Sequence, residues 1–226
     1  MRGSDHFISS RWVIMALATF ANYKTKEDKM ARARKVEIGT ARALALSAFW
    51  SHGYQSLGVR KLEELTGINR FMLQTEFGGK QGLFLEIIDS YISQWDENYL
   101  IQIRAGNIDQ IVHFFNLRAS NATAPEANNG CLMINTLCEG QVEDSEIKDR
   151  VFKFMRLMRR SLRLALCNER SQGSLKKSVD IDEASEMLAN ALIGMNVTIK
   201  LHGKNEAAQA AAKQLCKTVL SWRKKS

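Results

Sequence analysis

Arg70 and Gln74 are the side chains best equipped to do chemistry of recognition. They stand one helical turn apart, directly after the corner Thr66-Gly67-Ile68-Asn69. A guanidinium makes two parallel hydrogen bonds to guanine, and a carboxamide does the same to adenine. Phe71 beside them can lie against a thymine methyl, or pack within its own domain. Asn69 can cap a helix as well as touch a base. Arg60, Thr75 and Lys80 are spaced to hold phosphates, Lys80 at a helix start whose free N–H groups also favour anions. Such contacts require a helix-turn-helix, two short helices joined by a tight corner, whose second helix enters the DNA major groove. The run Val59–Phe77 has the necessary pattern. Val59, Leu62 and Leu65 or Thr66 recur at helical spacing before the corner, and Leu73 and Phe77 after it. Gly67 suits the left-handed residue that ends a helix, and Asn69 suits the N-cap of the next.

The elements around this run are helical throughout. A chain of 226 residues with one proline, 45% hydrophobic and 8% aromatic residues suits an all-α fold with a buried core, since alternating β-type runs are scarce. From Lys35 to about His52, the residues Ala41, Leu44, Ala45, Ala48 and Phe49 form an amphipathic stripe that Gly53 closes. Packed on Val59–Phe77, this helix completes a three-helix head over residues 30–79. Gly78-Gly79 breaks the chain, and residues 80–226 read as a larger helical body. Its first helix runs from Lys80 to near Gly106, with Phe84, Ile87, Ile88, Tyr91, Ile92, Trp95 and Tyr99 on one side. Helices follow over about Asn107–Ser120, Gly130–Gln141, Asp144–Asn168, Ile181–His202 and Asn205–Trp222. Residues 1–29 read as a leader outside the working fold. Their apolar stretch, Trp12 to Ala21, falls short of the ~20 residues that a bilayer span needs, so no membrane partner is expected.

The formal charge is +8, which favours an acidic partner. Residues 1–80 hold thirteen Lys or Arg against seven Asp or Glu, so most of the excess accompanies the head. Arg32, Arg34 and Lys35 form a basic arm ahead of the first helix. The run Lys153, Arg156, Arg159, Arg160 and Arg163 reads as a solvated helix face. Cys131, Cys138, Cys167 and Cys216 include no Cys-x-x-Cys pair, which fits a reducing cytosol and buried, inert thiols. Whether Cys131 or Cys138 senses redox state stays open at this level. The four histidines form no His-Glu-x-x-His or Glu-x-x-His, and no phosphate loop or nucleophile elbow occurs. No catalytic residues, metal or cofactor are therefore expected. The competing reading is a helical interaction module or cofactor-binding bundle without sequence-specific DNA binding.

The residues from Ala41 to Tyr91 resemble the tetracycline-repressor family of bacterial regulators. The likeness is carried by Phe49, Gly53-Tyr54, Leu62…Thr66-Gly67-Ile68-Asn69, Leu73…Phe77 and Gly79-Lys80-Gln81-Gly82-Leu83-Phe84. The segment Gly130-Cys131-Leu132-Met133-Ile134-Asn135 is similar to one that opens a ligand-domain helix in one branch of the family. The chain departs from the family at Leu57-Gly58, where a Thr-Ser pair is usual. Glu63, Phe71, Gln74 and Glu76 replace a frequent Ala, a small residue, Tyr and His. The resemblance implies a cytoplasmic homodimeric repressor, released from a double-stranded DNA operator by a small-molecule inducer. It implies an inducer site among the middle helices, where Trp95, Tyr99, His113, Phe114 and Phe115 supply lining. The last two helices would form the dimer bundle, with Leu188, Leu192, Met195, Leu215, Val219 and Trp222 as its contacts.

Overall fold

The computed structural model describes residues 38–120, 128–139, 144–202 and 206–224. The leader 1–29 and the basic arm Arg32, Arg34 and Lys35 lie outside these. The described residues are helical apart from short links and one isolated bridge, Leu175 to Arg223. The helices are α1 Ile38–His52, α2 Val59–Thr66, α3 Arg70–Phe77 and α4 Lys80–Trp95, the last carried on through a π turn at Asp96–Leu100 into Ile101–Ala105. They continue with α5 Ile108–Ser120, α6 Leu132–Cys138, α7 Ser145–Ser171, α8 Ile181–His202 and α9 Glu206–Ser221.

The expected stripe of α1 is buried except at Leu44, which is only half-buried. Ala41, Ala45, Ala48 and Phe49 turn inward, and the Phe49 ring packs 4.7 Å from that of Phe84 on α4. Tyr54 stacks on Phe84 at 4.5 Å and lies 6.2 Å from Phe49, so the three rings form one cluster. The head therefore shares its core with the first helix of the body, and the buried side chains form one continuous cluster. A three-helix unit this small has little interior of its own and is marginal without that shared core.

The long helix departs from the even stripe that its sequence suggests. At normal pitch Tyr99 would follow Trp95 inward. The π turn inserts a residue, so Leu100 becomes fully buried and Tyr99 is only partly so. Arg104 and Asp96 close an ion pair across the wide turn.

In the body, α7 is capped by Asp144, whose Oδ1 accepts from the N–H groups of Glu146 and Ile147 at 2.9 and 3.2 Å. Ile147, Val151, Phe154, Met158, Leu162 and Leu166 form its inner face. Helix α8 lies along α7, and α9 lies along α5. The basic run on α7 is exposed along its length, as a solvated face would be, and two of its five residues also reach neighbours. Arg163 bonds Asp182 at 2.5 Å and Arg159 pairs with Glu186, both partners on α8.

The final helices depart from expectation in what their stripes do. Leu188, Leu192, Met195 and Val219 are buried inside this chain, and Leu215 and Trp222 pack partly buried against the same core. Those six residues hold α8 and α9 onto their own body. The hydrophobic side chains left outside on these helices are Met187, Val197, Leu201 and Leu220. Periodicity identifies the apolar face of a helix but not whether the opposing surface belongs to the same chain.

Candidate nucleic-acid interface

Two left-handed glycines set the geometry of the corner. Gly67 has φ 73° and donates its N–H to the Glu63 carbonyl at 2.8 Å, ending α2. Gly78 has φ 70° and ends α3 in the same way on Gln74. Just before the first of them, Thr66 is buried, its hydroxyl donating to the Leu62 carbonyl and accepting the Ile68 N–H. Ile68 fills the inside of the corner. Asn69 caps α3 as its type predicts, Oδ1 accepting from the Met72 N–H at 2.8 Å. Gly58 offers no side chain to cap α2, and Leu57 before it is buried in the core. The departure from Thr-Ser thus exchanges a capping hydroxyl for apolar contact.

On α3, Leu73 and Phe77 face inward while Asn69, Arg70, Phe71, Gln74, Thr75 and Glu76 are all exposed. Phe71 is 77% exposed, an outward orientation that packing within the head does not explain. The Arg60 side chain is 95% exposed and within 3.6 Å of Glu64 one turn on. Thr75 turns its hydroxyl back onto the Phe71 carbonyl at 3.0 Å. Lys80 is the most engaged of the expected phosphate contacts. Its ammonium rests over the Tyr54 ring at 4.6 Å. Burial there lowers its pKa, partly countered by the Glu139 carboxylate.

Glu139 is a residue that sequence reasoning missed. It follows α6 in the body, yet its carboxylate accepts from the backbone N–H groups of Tyr54 and Gln55 in the head, at 3.1 and 2.8 Å. Gly53 permits this approach. It has φ 82°, and a Cβ there would stand 2.6 Å from the nearer carboxylate oxygen. No local pattern marks a carboxylate that bonds 84 and 85 residues away. Glu139→Ala should strip two backbone donors of their charged acceptor, at about 1.5–3 kcal/mol per bond. Hydrogen exchange at Tyr54 and Gln55 should accelerate while α8 keeps its protection. Unchanged exchange in the head would show the clamp to be inert.

In the body, Trp95, Tyr99, Phe114 and Phe115 come together as expected. The Trp95 ring lies 5.3 Å from Tyr99 and 6.1 Å from Phe114, and Phe114 meets Phe115 edge-on at 5.6 Å. His113 stands apart from them. One residue before Phe114 on the helix, it points about 100° away from it, to an exposed side. There it lines an open depression of about 400 Å³ between α5 and α9. Tyr91 and Phe154 complete the ring cluster. Tyr91 donates its hydroxyl to Cys131 Sγ at 3.4 Å. Burial pushes up the Cys131 thiol, against the opposing effect of that hydrogen bond, which disfavours the reactive thiolate. Cys138, at the far end of α6, is exposed, so the two thiols do not share one environment. Among the described residues no cluster of three or more His, Cys, Asp or Glu could hold a metal ion, and no helix is long and apolar enough to cross a membrane.

The body from residue 107 to 215 matches a family model described as a tetracyclin repressor-like C-terminal domain. The transcriptional repressor ComR of Escherichia coli K12 is 25% identical over 159 residues, 69% of this chain and 76% of ComR. YezE of Bacillus subtilis 168, an uncharacterised HTH-type regulator, is 24% identical over 173 residues, 74% of this chain and 89% of its own. In fold, the chain superposes on a cysteine-substituted form of the TetR-family regulator CifR complexed with 26-bp double-stranded operator DNA. The TM-score is 0.73 with 22% identity, covering 83% of this chain and 98% of CifR. A TetR regulator from Chloroflexus aurantiacus gives 0.72 with 20% identity, over 82% and 95% of the two chains. Head and body, matched separately by pattern and together in fold, agree: the body matches the tetracyclin repressor-like C-terminal domain, and the whole chain has the fold of the TetR-family regulators.

Proposed function

We propose that this protein is a homodimeric repressor that reads a palindromic double-stranded DNA operator through α3 and leaves it when a small molecule occupies the body. The observation that carries the reading is the outward set Asn69, Arg70, Phe71 and Gln74 on a helix held at both ends by caps. Nothing in the fold of the head requires these side chains to face solvent together. A major groove does, because the N-terminal residues of a recognition helix meet base edges there. Arg60, Thr75 and Lys80 flank the set as phosphate contacts. CifR, of the same fold, is complexed with operator DNA, which supports this orientation.

A single head reads few bases, so two heads about 34–36 Å apart, or a multiple of that, would match a two-fold operator. The surface that fits a partner copy is the outer side of α8 and α9. Met187, Val197 and Leu201 are exposed there, and Gly194 between them has open space where a side chain would be, allowing close helix approach. An inducer would act by favouring a body conformation that holds the heads at another spacing, which demands unequal affinity for the two states. The clamp of Glu139 on Tyr54 and Gln55 is a direct mechanical connection for that signal.

Selection from random oligonucleotides tests the reading. A two-fold symmetric consensus, bound with an affinity that falls steeply with salt, is expected. Enrichment of no sequence would replace it with the interaction-module reading. Arg60→Ala should weaken binding to all sequences alike and lower the salt slope by about 0.9 for each phosphate no longer neutralised. A change in the consensus itself would place Arg60 on bases instead.

A further inference from the structure

Arg118 on α5 is the only buried lysine or arginine among the described residues, with 8% exposure, and none of their carboxylates pairs with it. Its Nη2 donates to Asn196 Oδ1 at 2.7 Å. Its guanidinium lies over the Trp95 ring at 5.2 Å, and its Nε is buried without a partner. No ion pair reaches it among the described residues, whereas buried Glu169 has Arg223. A buried charge is normally neutralised by an opposite one, because its lost hydration is worth several kcal/mol. Here an amide oxygen and an aromatic face stand in for the missing anion.

The surroundings define what that anion would be. Trp95, Tyr99 and Phe114 form a largely apolar wall beside the guanidinium. On the other side of Tyr91, Trp50 of the head meets that ring edge-on at 5.5 Å, and its own Nε1 is also buried without a partner. Arginine's fork fits a planar carboxylate in two parallel bonds. With one buried cation, a phosphate dianion would bring a second charge that nothing in the interior compensates.

We propose that Arg118 anchors a small monocarboxylate with a flat apolar body, inserted among Trp95, Tyr99 and Phe114. This rests on the inducer reading above and names its ligand class. The rings touch one another in the present conformation, so the ligand would enter by parting them. Because Trp50 belongs to α1, an occupant that shifts Tyr91 acts on the head directly.

Benzoate and its neutral isostere benzamide are suitable probes, titrated by calorimetry into the full-length protein and followed in parallel by operator release. Benzoate should bind about 10- to 100-fold more tightly than benzamide, the range expected for charged hydrogen bonds. Arg118→Gln should abolish that preference. Asn196→Asp, which sets an internal carboxylate on the same guanidinium with almost no change of shape, should block benzoate while keeping the fold. Equal affinity for the two probes, binding of neither, or benzoate binding unaltered in Asn196→Asp would overturn the assignment. The two readings fail separately. Benzoate bound without operator release removes the inducer role and leaves the anion site, whereas release by benzamide as readily as by benzoate does the reverse.

Discussion

Arg70→Ala should lower operator affinity by about 1–3 kcal/mol per half-site, roughly 5- to 150-fold, and by the square of that factor when both heads of a dimer carry it. The size follows from position. Arg70 is the first residue of α3, exposed and directly after the Asn69 cap, where the end of a recognition helix approaches base edges. Removing a two-bond guanine contact should also flatten the preference at one base pair of each half-site. Removing a phosphate contact would leave the consensus intact. Gel-shift titrations on the matched operator and on versions altered at that pair separate the outcomes. Identical affinities for wild type and variant on all of these would remove Arg70 from the groove. The fold should be unaffected, because the Arg70 side chain takes no part in the caps and Leu73, Phe77 and partly buried Met72 hold α3 to the core.

How much of this was legible in the chain depends on whether a contact is local. The corner is legible because its causes lie within a few residues: Gly67 at positive φ, Asn69 as cap, Leu62 and Leu73 at helical spacing. The outward set on α3 follows from the same periodicity. The body's helices are legible as stripes, but partners are not, and so Leu188, Leu192, Met195 and Val219 read as dimer contacts when they fill their own core. His113 is a subtler case. It neighbours Phe114 in sequence, yet one residue along a helix is about 100° around it. Arg118 had a signal that went unused, a charged residue one turn after Phe114 on the apolar stripe of Ile111, Phe114 and Phe115. Glu139 had none, since its acceptor role is defined by a chain segment in another domain.

The same contrast between paired and unpaired charge sets the largest stability effect. Glu169 on α7 has a side chain only 2% exposed. Its carboxylate accepts from Arg223 at 2.9 and 3.2 Å and from the Ile108 N–H at the start of α5. Arg223 also holds Asp109 with two bonds of 2.7 and 2.9 Å. The strand-like strap after α9 is fixed beside it, Lys176 N–H to the Trp222 carbonyl and Lys224 N–H to Ser174, each at 2.9 Å. Arg223→Met keeps the stem and removes the charge, leaving Glu169 buried and uncompensated. The expected loss is about 3–5 kcal/mol, a drop in Tm of roughly 6–20 °C for a chain of this size. Acid should treat the two proteins differently. In the wild type, Arg223 holds the Asp109 carboxyl below its usual range. That contribution is therefore complete above the unfolded value near ~3.9 and disappears as pH falls through the lowered folded value. In Arg223→Met that contribution is absent at every pH, so acid costs the variant less than the wild type. Melting curves from pH 7 to about 2 should show the gap between the proteins narrowing at the acid end, and Glu169→Gln added to Arg223→Met should recover part of it at neutral pH. A gap independent of pH would mean that Arg223 acts by packing its stem and not by its charge.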